Sequence, residues 1–168
     1  MLKHINGTAK IKIGVFVTFG VIIVLIAGIF IYKGSVNKSN KSDYIDSKTE
    51  NLIIPISELS SKATFYPYQA GDVKMEVLAL KASDGTVRTA FNTCQVCYSS
   101  GRGYYELDGT TLVCQNCGNR FSPDQVEIEK GGCNPVPITS EYKEESNGKI
   151  VISKDILKQA GVIFENWK

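Results

Sequence analysis

What this 168-residue chain lacks narrows its chemistry before anything else does. It has a single histidine, His4, at the extreme N-terminus. A Rieske centre and a Cys2His2 finger each need two histidine ligands, so neither fits. Covalent haem attachment needs a histidine directly after a CxxC pair, but Tyr98 follows Cys97 and Gly118 follows Cys117. Ser-His-Asp and Cys-His catalysis have no usable imidazole either. The two methionines, Met1 and Met75, make no Met-rich copper motif, which weakens a copper-handling reading although thiolates suit Cu(I). There is no long basic run. Residues 52–168 carry twelve Lys/Arg against fourteen Asp/Glu, so no clustered positive charge is available to neutralise phosphates, and nucleic acid is not expected as a partner. Nothing in the chain suggests hydrolytic or transferase catalysis. The expectation is a non-enzymatic, metal-binding or electron-transfer protein.

Charge is also missing, locally, near the N-terminus. Ile13 to Tyr32 is a twenty-residue run without a charged side chain, bounded by Lys12 and Lys33. As a helix it would span about 30 Å, the thickness of a bilayer's hydrocarbon core. A cleaved signal peptide is the main rival. It would have a shorter apolar stretch and a small-residue cleavage site, and none follows Tyr32. No cysteine lies just beyond the run to accept a lipid. An uncleaved single-pass anchor is therefore expected. Lysines flank it on both sides, so charge does not choose its orientation cleanly. The working topology puts the N-terminus inside and the following domain outside the cytoplasm. Residues 34–51 are rich in Ser, Asn and Lys and poor in apolar side chains, too polar to pack, and read as a flexible tether. The expected organisation is 1–12 cytoplasmic, 13–32 transmembrane, 33–51 tether, and 52–168 an extracytoplasmic domain at the cell membrane.

Within 52–168 the patterning is mainly β, in an α+β domain. Val73 to Leu80 alternates apolar and charged residues and then turns wholly apolar, as a strand does. Asp84-Gly85 separates it from Thr86–Phe91, and Asp108-Gly109 separates Gly103–Leu107 from Thr110–Cys114. Asp-Gly between strand-like runs marks a hairpin, because both residues tolerate positive φ. Each hairpin's outgoing arm would then deliver one CxxC knuckle. Two flanking segments look alike: Ile54-Pro55-Ile56-Ser57 before Leu59 and Phe65, and Ile150-Val151-Ile152-Ser153 before Leu157 and Phe164. Each predicts a short strand, a serine N-cap, a turn or two of helix and an aromatic return. In the second, Ile152 and Leu157 would form a hydrophobic staple.

All five cysteines lie between Cys94 and Cys133: Cys94-x-x-Cys97, sixteen residues, Cys114-x-x-Cys117, and then Cys133 within Gly131-Gly132-Cys133-Asn134-Pro135. Three chemistries fit. Two CxxC turns at this spacing suit a tetrathiolate zinc ribbon and an assembly module built on it. The same ligands suit iron or an iron–sulfur cluster. Disulfides are favoured in oxidising compartments, although five is an odd count. Thioredoxin-type exchange normally places CxxC at a helix start, whereas both pairs here follow strands. Gly118 should let the second knuckle fold back, with amides turned toward sulfur. Cys133 reads as a fifth or alternate ligand, a free thiol, or a small residue in a Gly/Pro turn. Tyr66, Tyr68, Phe91, Tyr104, Tyr105 and Phe121 are candidates to shield a centre or simply to form core.

Taken together, Ser83-Asp84-Gly85, Ala90-Phe91, both CxxC pairs with Tyr98 and Gly118, Gly103-Tyr104, Phe121 and the Gly-Gly-Cys-Asn-Pro run resemble the FtrD-like membrane iron–sulfur proteins, over roughly Ile54 to Phe164. The resemblance implies a bacterial, membrane-tethered protein with an extracytoplasmic cysteine-ligated metal site. It also implies electron transfer beside an iron-uptake system, with membrane transport or redox proteins as partners. Cys94, Cys97, Cys114, Cys117 and Cys133 match the family's cysteine positions. Family members with many membrane helices differ from this chain, for which one anchor is expected.

Overall fold

The computed structural model describes residues 50–168. The anchor expected over 13–32, the segment before it and nearly all of the tether lie outside the described residues. Among the described residues no helix is long and apolar enough to cross a membrane.

Among the described residues, ten strands form three antiparallel sheets, as a mainly-β domain requires. The central one runs β2 (Thr64–Ala70), β3 (Val73–Lys81), β4 (Val87–Cys94), β8 (Pro135–Pro137). Its β3 explains the change of pattern read in the sequence. Met75, Val77 and Ala79 point into one apolar cluster, and Leu78 and Leu80 into another on the opposite face. A strand covered on both faces becomes continuously apolar, because alternate side chains then both leave water. The cysteine cluster belongs to the Leu78–Leu80 side.

The second sheet, β1 (Leu52–Pro55), β10 (Lys149–Ile152) and β9 (Glu144–Ser146), supplies the first cluster. Here the two look-alike corners meet. Leu52 pairs with Ile152 and Ile54 with Ile150, so their strands are neighbours in one ladder. Their turns differ. Ser153 caps helix α1 (Lys154–Gln159) by accepting the Ile156 amide at 3.3 Å. Ile152 and Leu157 are both fully buried in one cluster, as a staple needs. Ser57 is not a cap: it sits inside a 3-10 turn, Ile56–Glu58, that starts from Pro55 without any side-chain cap. Proline already fixes φ there, so the turn needs no hydroxyl to start it.

The third sheet carries the second knuckle: β5 (Tyr105–Asp108), β6 (Thr111–Cys114) and β7 (Arg120–Phe121). Both Asp-Gly sites are hairpin turns of different kinds. At the first, Gly85 takes φ +80° and its amide donates to the Ala82 carbonyl, while the Asp84 carboxylate accepts the Thr86 amide at 2.9 Å. At the second, Asp108 pairs with Thr111 and belongs to the strand, so Gly109 and Thr110 alone form the loop. Gly109, at φ +65°, takes the first loop position, where a two-residue hairpin with an ordinary second residue needs positive φ.

Candidate metal centre

The first knuckle leaves the end of β4. Cys94 is fully buried, and the Cys97 amide turns back to donate to its sulfur at 3.3 Å. The Ser100 amide and hydroxyl then both donate to the Cys97 carbonyl, at 3.0 and 2.7 Å. The second knuckle leaves β6. Gly118, at φ +74°, donates its amide to the Cys114 carbonyl at 2.9 Å, so this glycine does fold the turn back. The second knuckle is bonded to the segment that follows the first: Gln115 N–H donates to the Tyr104 carbonyl at 2.9 Å, and the Arg102 guanidinium to the Gln115 carbonyl at 3.0 Å. Gly103 lies so close to the first knuckle that a Cβ there would stand 2.6 Å from the Cys97 carbonyl oxygen.

Cys133 arrives from elsewhere. Pro135, two residues further on, pairs with Cys94 across β8 and β4, after a register shift between Phe91 and Cys94. Gly131 and Gly132 take φ +79° and +110°, which only glycine adopts without strain. The loop is then tied to the first knuckle. The Gln95 amide donates to the Asn134 carbonyl at 3.1 Å, and the Gln95 side-chain oxygen accepts the Gly131 amide at 2.9 Å. The Tyr105 hydroxyl donates to the Cys133 carbonyl, and the Asn134 side-chain amide holds the Glu129 and Pro135 carbonyls.

All five thiols converge. Cys94, Cys97 and Cys114 place their sulfurs within 4.8 Å of one another, as do Cys97, Cys117 and Cys133, and either group could hold a metal ion. No cysteine is in a disulfide. Of the six aromatics considered as shields, Tyr105 and Phe121 pack among the cysteines, edge to face with centroids 6.0 Å apart. Tyr66, Tyr68, Phe91 and Tyr104 belong to the other cluster.

Three residues that hold the site together were not among the candidates. Gln95 and Asn134 look like ordinary loop residues; the work of Gln95 lies in contacts across 36 and more positions, and that of the Asn134 side chain in bracing its own loop. Asn92 carries a usable signal, an amide side chain between Phe91 and the Thr93-Cys94 end of a strand, where amide residues are uncommon. Its side-chain oxygen accepts the Tyr105 amide at 2.8 Å and its amide donates to Glu76 at 2.7 Å, joining the central sheet to β5.

The sulfurs are electrostatically unlike. Burial pushes the Cys114 thiol up to about 12, and Cys133 reaches about 12 chiefly through hydrogen bonds with Cys117 and Cys97. Burial likewise raises Cys97. Burial also acts upward on Cys94, but the Cys97 and Val96 amides and the Tyr105 hydroxyl outweigh it and leave that thiol below its ordinary value. Cys117 is lowered too: burial is overcome by the Asn119 amide and the neighbouring Cys114, Cys133 and Cys97 thiols. Metals bind thiolates, so the raised thiols must release protons on binding, and acid competes with metal. Affinity should therefore rise with pH, about tenfold per unit for each thiol that gives up a proton. A competition titration against a chromophoric chelator between about pH 6.5 and 8.5 reads this slope, and a flat profile would contradict it.

Comparison with known proteins gives one family. The model described as "Membrane iron-sulfur containing protein FtrD-like" matches residues 59–164, which include every cysteine. No curated protein and no solved structure matches. The donor set of the site suits that description. It is all sulfur, it is gathered without histidine or carboxylate, and thiolates are the ligands that iron–sulfur chemistry uses.

Proposed function

The chain belongs to the FtrD-like family of membrane iron-sulfur containing proteins, and on that premise we propose that Cys94, Cys97, Cys114, Cys117 and Cys133 hold iron, as an iron–sulfur centre, in a single-pass electron-transfer protein of the cell membrane. The observation that carries this reading is the convergence of all five thiols in one place. Thiolate-bound iron supplies a one-electron ferric/ferrous couple when present. The chain's own part is to set the surroundings of that couple. Cys94 and Cys114 are buried beside Tyr105 and Phe121, which keep water from one side, while Cys117 is exposed and Cys133 half-buried on the other. Electron exchange with a partner has its shortest route through the exposed side. In this reading residues 13–32 anchor the domain outside the cytoplasm, and its partner is a membrane iron-transport or redox protein. A structural zinc ribbon would account for the two knuckles, but not for the hydrogen bonds that bring Cys133 to them.

The test is anaerobic purification of the full-length protein. Coloured protein with iron, inorganic sulfide and an EPR signal that changes on reduction is the expected result. Colourless protein with one zinc per chain would overturn the reading.

A further inference from the structure

We propose that the Tyr105 hydroxyl raises the reduction potential of the centre by donating to the Cys94 thiolate, with Asn92 as the positioning residue that holds it. This rests on the iron–sulfur reading and adds which of the chain's own groups tunes it. Tyr105 is buried among Cys94, Cys97 and Cys114, and its backbone pairs with Cys114 across β5 and β6. A buried phenol oxygen needs a partner. This one donates to the Cys133 carbonyl. It also bonds the Cys94 sulfur: burial works against the Cys94 thiolate, and the Tyr105 hydroxyl is among the donors that favour it. The hydroxyl has one proton for these two acceptors. A thiolate is the stronger of them, because charge-assisted bonds are roughly twice as strong as neutral ones. Burial, and then the charge on Cys94, pushes the phenol itself far up, so its proton stays on oxygen. Reduction places more negative charge on the ligand sulfurs. A donor aimed at one of them favours the reduced state over the oxidised one, which raises the potential.

The hydroxyl is held in place by its surroundings. β5 is an edge strand, and the Asn92 side chain closes its free side. That side chain accepts the Tyr105 amide at 2.8 Å and donates to the Tyr105 carbonyl at 3.4 Å. One amide group thus makes the ladder bonds for which β5 has no further strand. Asn92 is fully buried and is itself fixed. Its side-chain amide donates to Glu76 at 2.7 Å, and its carbonyl accepts the Trp167 indole at 2.8 Å. It also stands where the pairing of β4 with β8 shifts, between Phe91 and Cys94. Irregularities of this kind re-aim a side chain beside a site. Tyr68 is the contrast. It is as deeply buried, but it lies in the other cluster, and its hydroxyl donates to the Glu50 carbonyl at 2.9 Å.

Redox titration of anaerobic full-length protein, followed by visible absorption and EPR, tests this. Tyr105→Phe keeps the ring and removes the hydroxyl. Its reduced form should be disfavoured about tenfold, which lowers the midpoint potential by about 59 mV for one electron. Iron and sulfide per chain should be unchanged. Asn92→Ala should lower the potential too, yet add nothing in a Tyr105→Phe background, because its effect passes through that hydroxyl. Tyr68→Phe should leave the potential where it is. Biosynthetic replacement of tyrosine by 3-fluorotyrosine supplies the opposite change without a truncation. The more acidic phenol is the stronger donor, so the potential should rise, and among the described residues Tyr105 is the tyrosine that packs with the cysteines. An unmoved potential in Tyr105→Phe, or in the fluorinated protein if that variant loses its iron, overturns the inference and leaves the iron–sulfur reading standing. An Asn92→Ala effect that persists in full without the hydroxyl overturns the role of Asn92. Native protein without iron overturns inference and reading together.

Discussion

Replacing Lys143 by methionine should cost the domain about 3–5 kcal/mol, the penalty for breaking a buried ion pair and stranding its partner. The side chain of Lys143 is only 4% exposed and that of Glu127 12%, with Nζ and Oε2 2.8 Å apart. Surface pairs contribute little, as the exposed Arg120–Asp108 pair should. This pair is different because water cannot replace the lost partner. It also reaches further than two residues. Nζ donates to the Thr89 hydroxyl at 3.1 Å, and the same Glu127 oxygen accepts the Thr89 amide at 2.9 Å. The carboxylate therefore continues the hydrogen bonding of β4 from a loop residue held at φ +67°, a conformation that non-glycine residues seldom adopt. The lysine joins that loop, which leads to Cys133, to the central sheet. With a total stability of roughly 5–15 kcal/mol for a domain of this kind, a loss of this size is a large fraction. Chemical denaturation of Lys143→Met beside the native protein measures it, and a loss under 1 kcal/mol would show that the pair is dispensable.

Gly103→Ala should damage the metal centre more than any other single methyl group added to the chain. The new Cβ would lie 2.6 Å from the Cys97 carbonyl oxygen, 2.7 Å from its carbon and 2.9 Å from the Tyr98 nitrogen. All three are backbone atoms, so no side chain can swing aside, and the knuckle itself must move. Overpacking of this kind costs about 1–3 kcal/mol. Cys97 moves with the carbonyl that is struck, so metal affinity should fall at least tenfold. Gly109→Ala is the comparison. It meets no atom within 4 Å but sits at φ +65°, so it should cost about 1–2 kcal/mol of strain and leave metal binding unchanged. Parallel metal-competition titrations of the two variants, with equal losses of affinity, would refute the placement of Gly103.

Much of this domain is legible in the sequence because its signals are local. Asp84-Gly85 and Asp108-Gly109 mark their hairpins, and the strands after them run straight into Cys94 and Cys114. Ser153 with Ile152 and Leu157 reads as a helix start for the same reason. Ser57 fails as a cap because Pro55, two positions earlier, already sets the backbone. What the sequence hides is long-range. The pairing of Leu52 with Ile152 has only a vague similarity of pattern to announce it. The aromatics divide between two clusters according to the face of the central sheet that they meet, which no spacing within a strand reveals. Cys133 is visible as chemistry but not as a place, because Pro135 must pair with Cys94 to bring it there.

The two-faced central sheet bears on how a domain of this kind can vary between generations. In β3 and β4, Leu78, Leu80, Ala90 and Cys94 face the thiols, while Met75, Val77, Ala79 and Phe91 face the layer built on β1 and β10. The two sets alternate along the chain, even positions against odd. Exchanges at even positions alter the setting of the sulfurs, and exchanges at odd positions alter how firmly the other layer is held. Residues adjacent in sequence thus answer to separate selective pressures, and the tuning of the centre can drift without disturbing the layer that supports it.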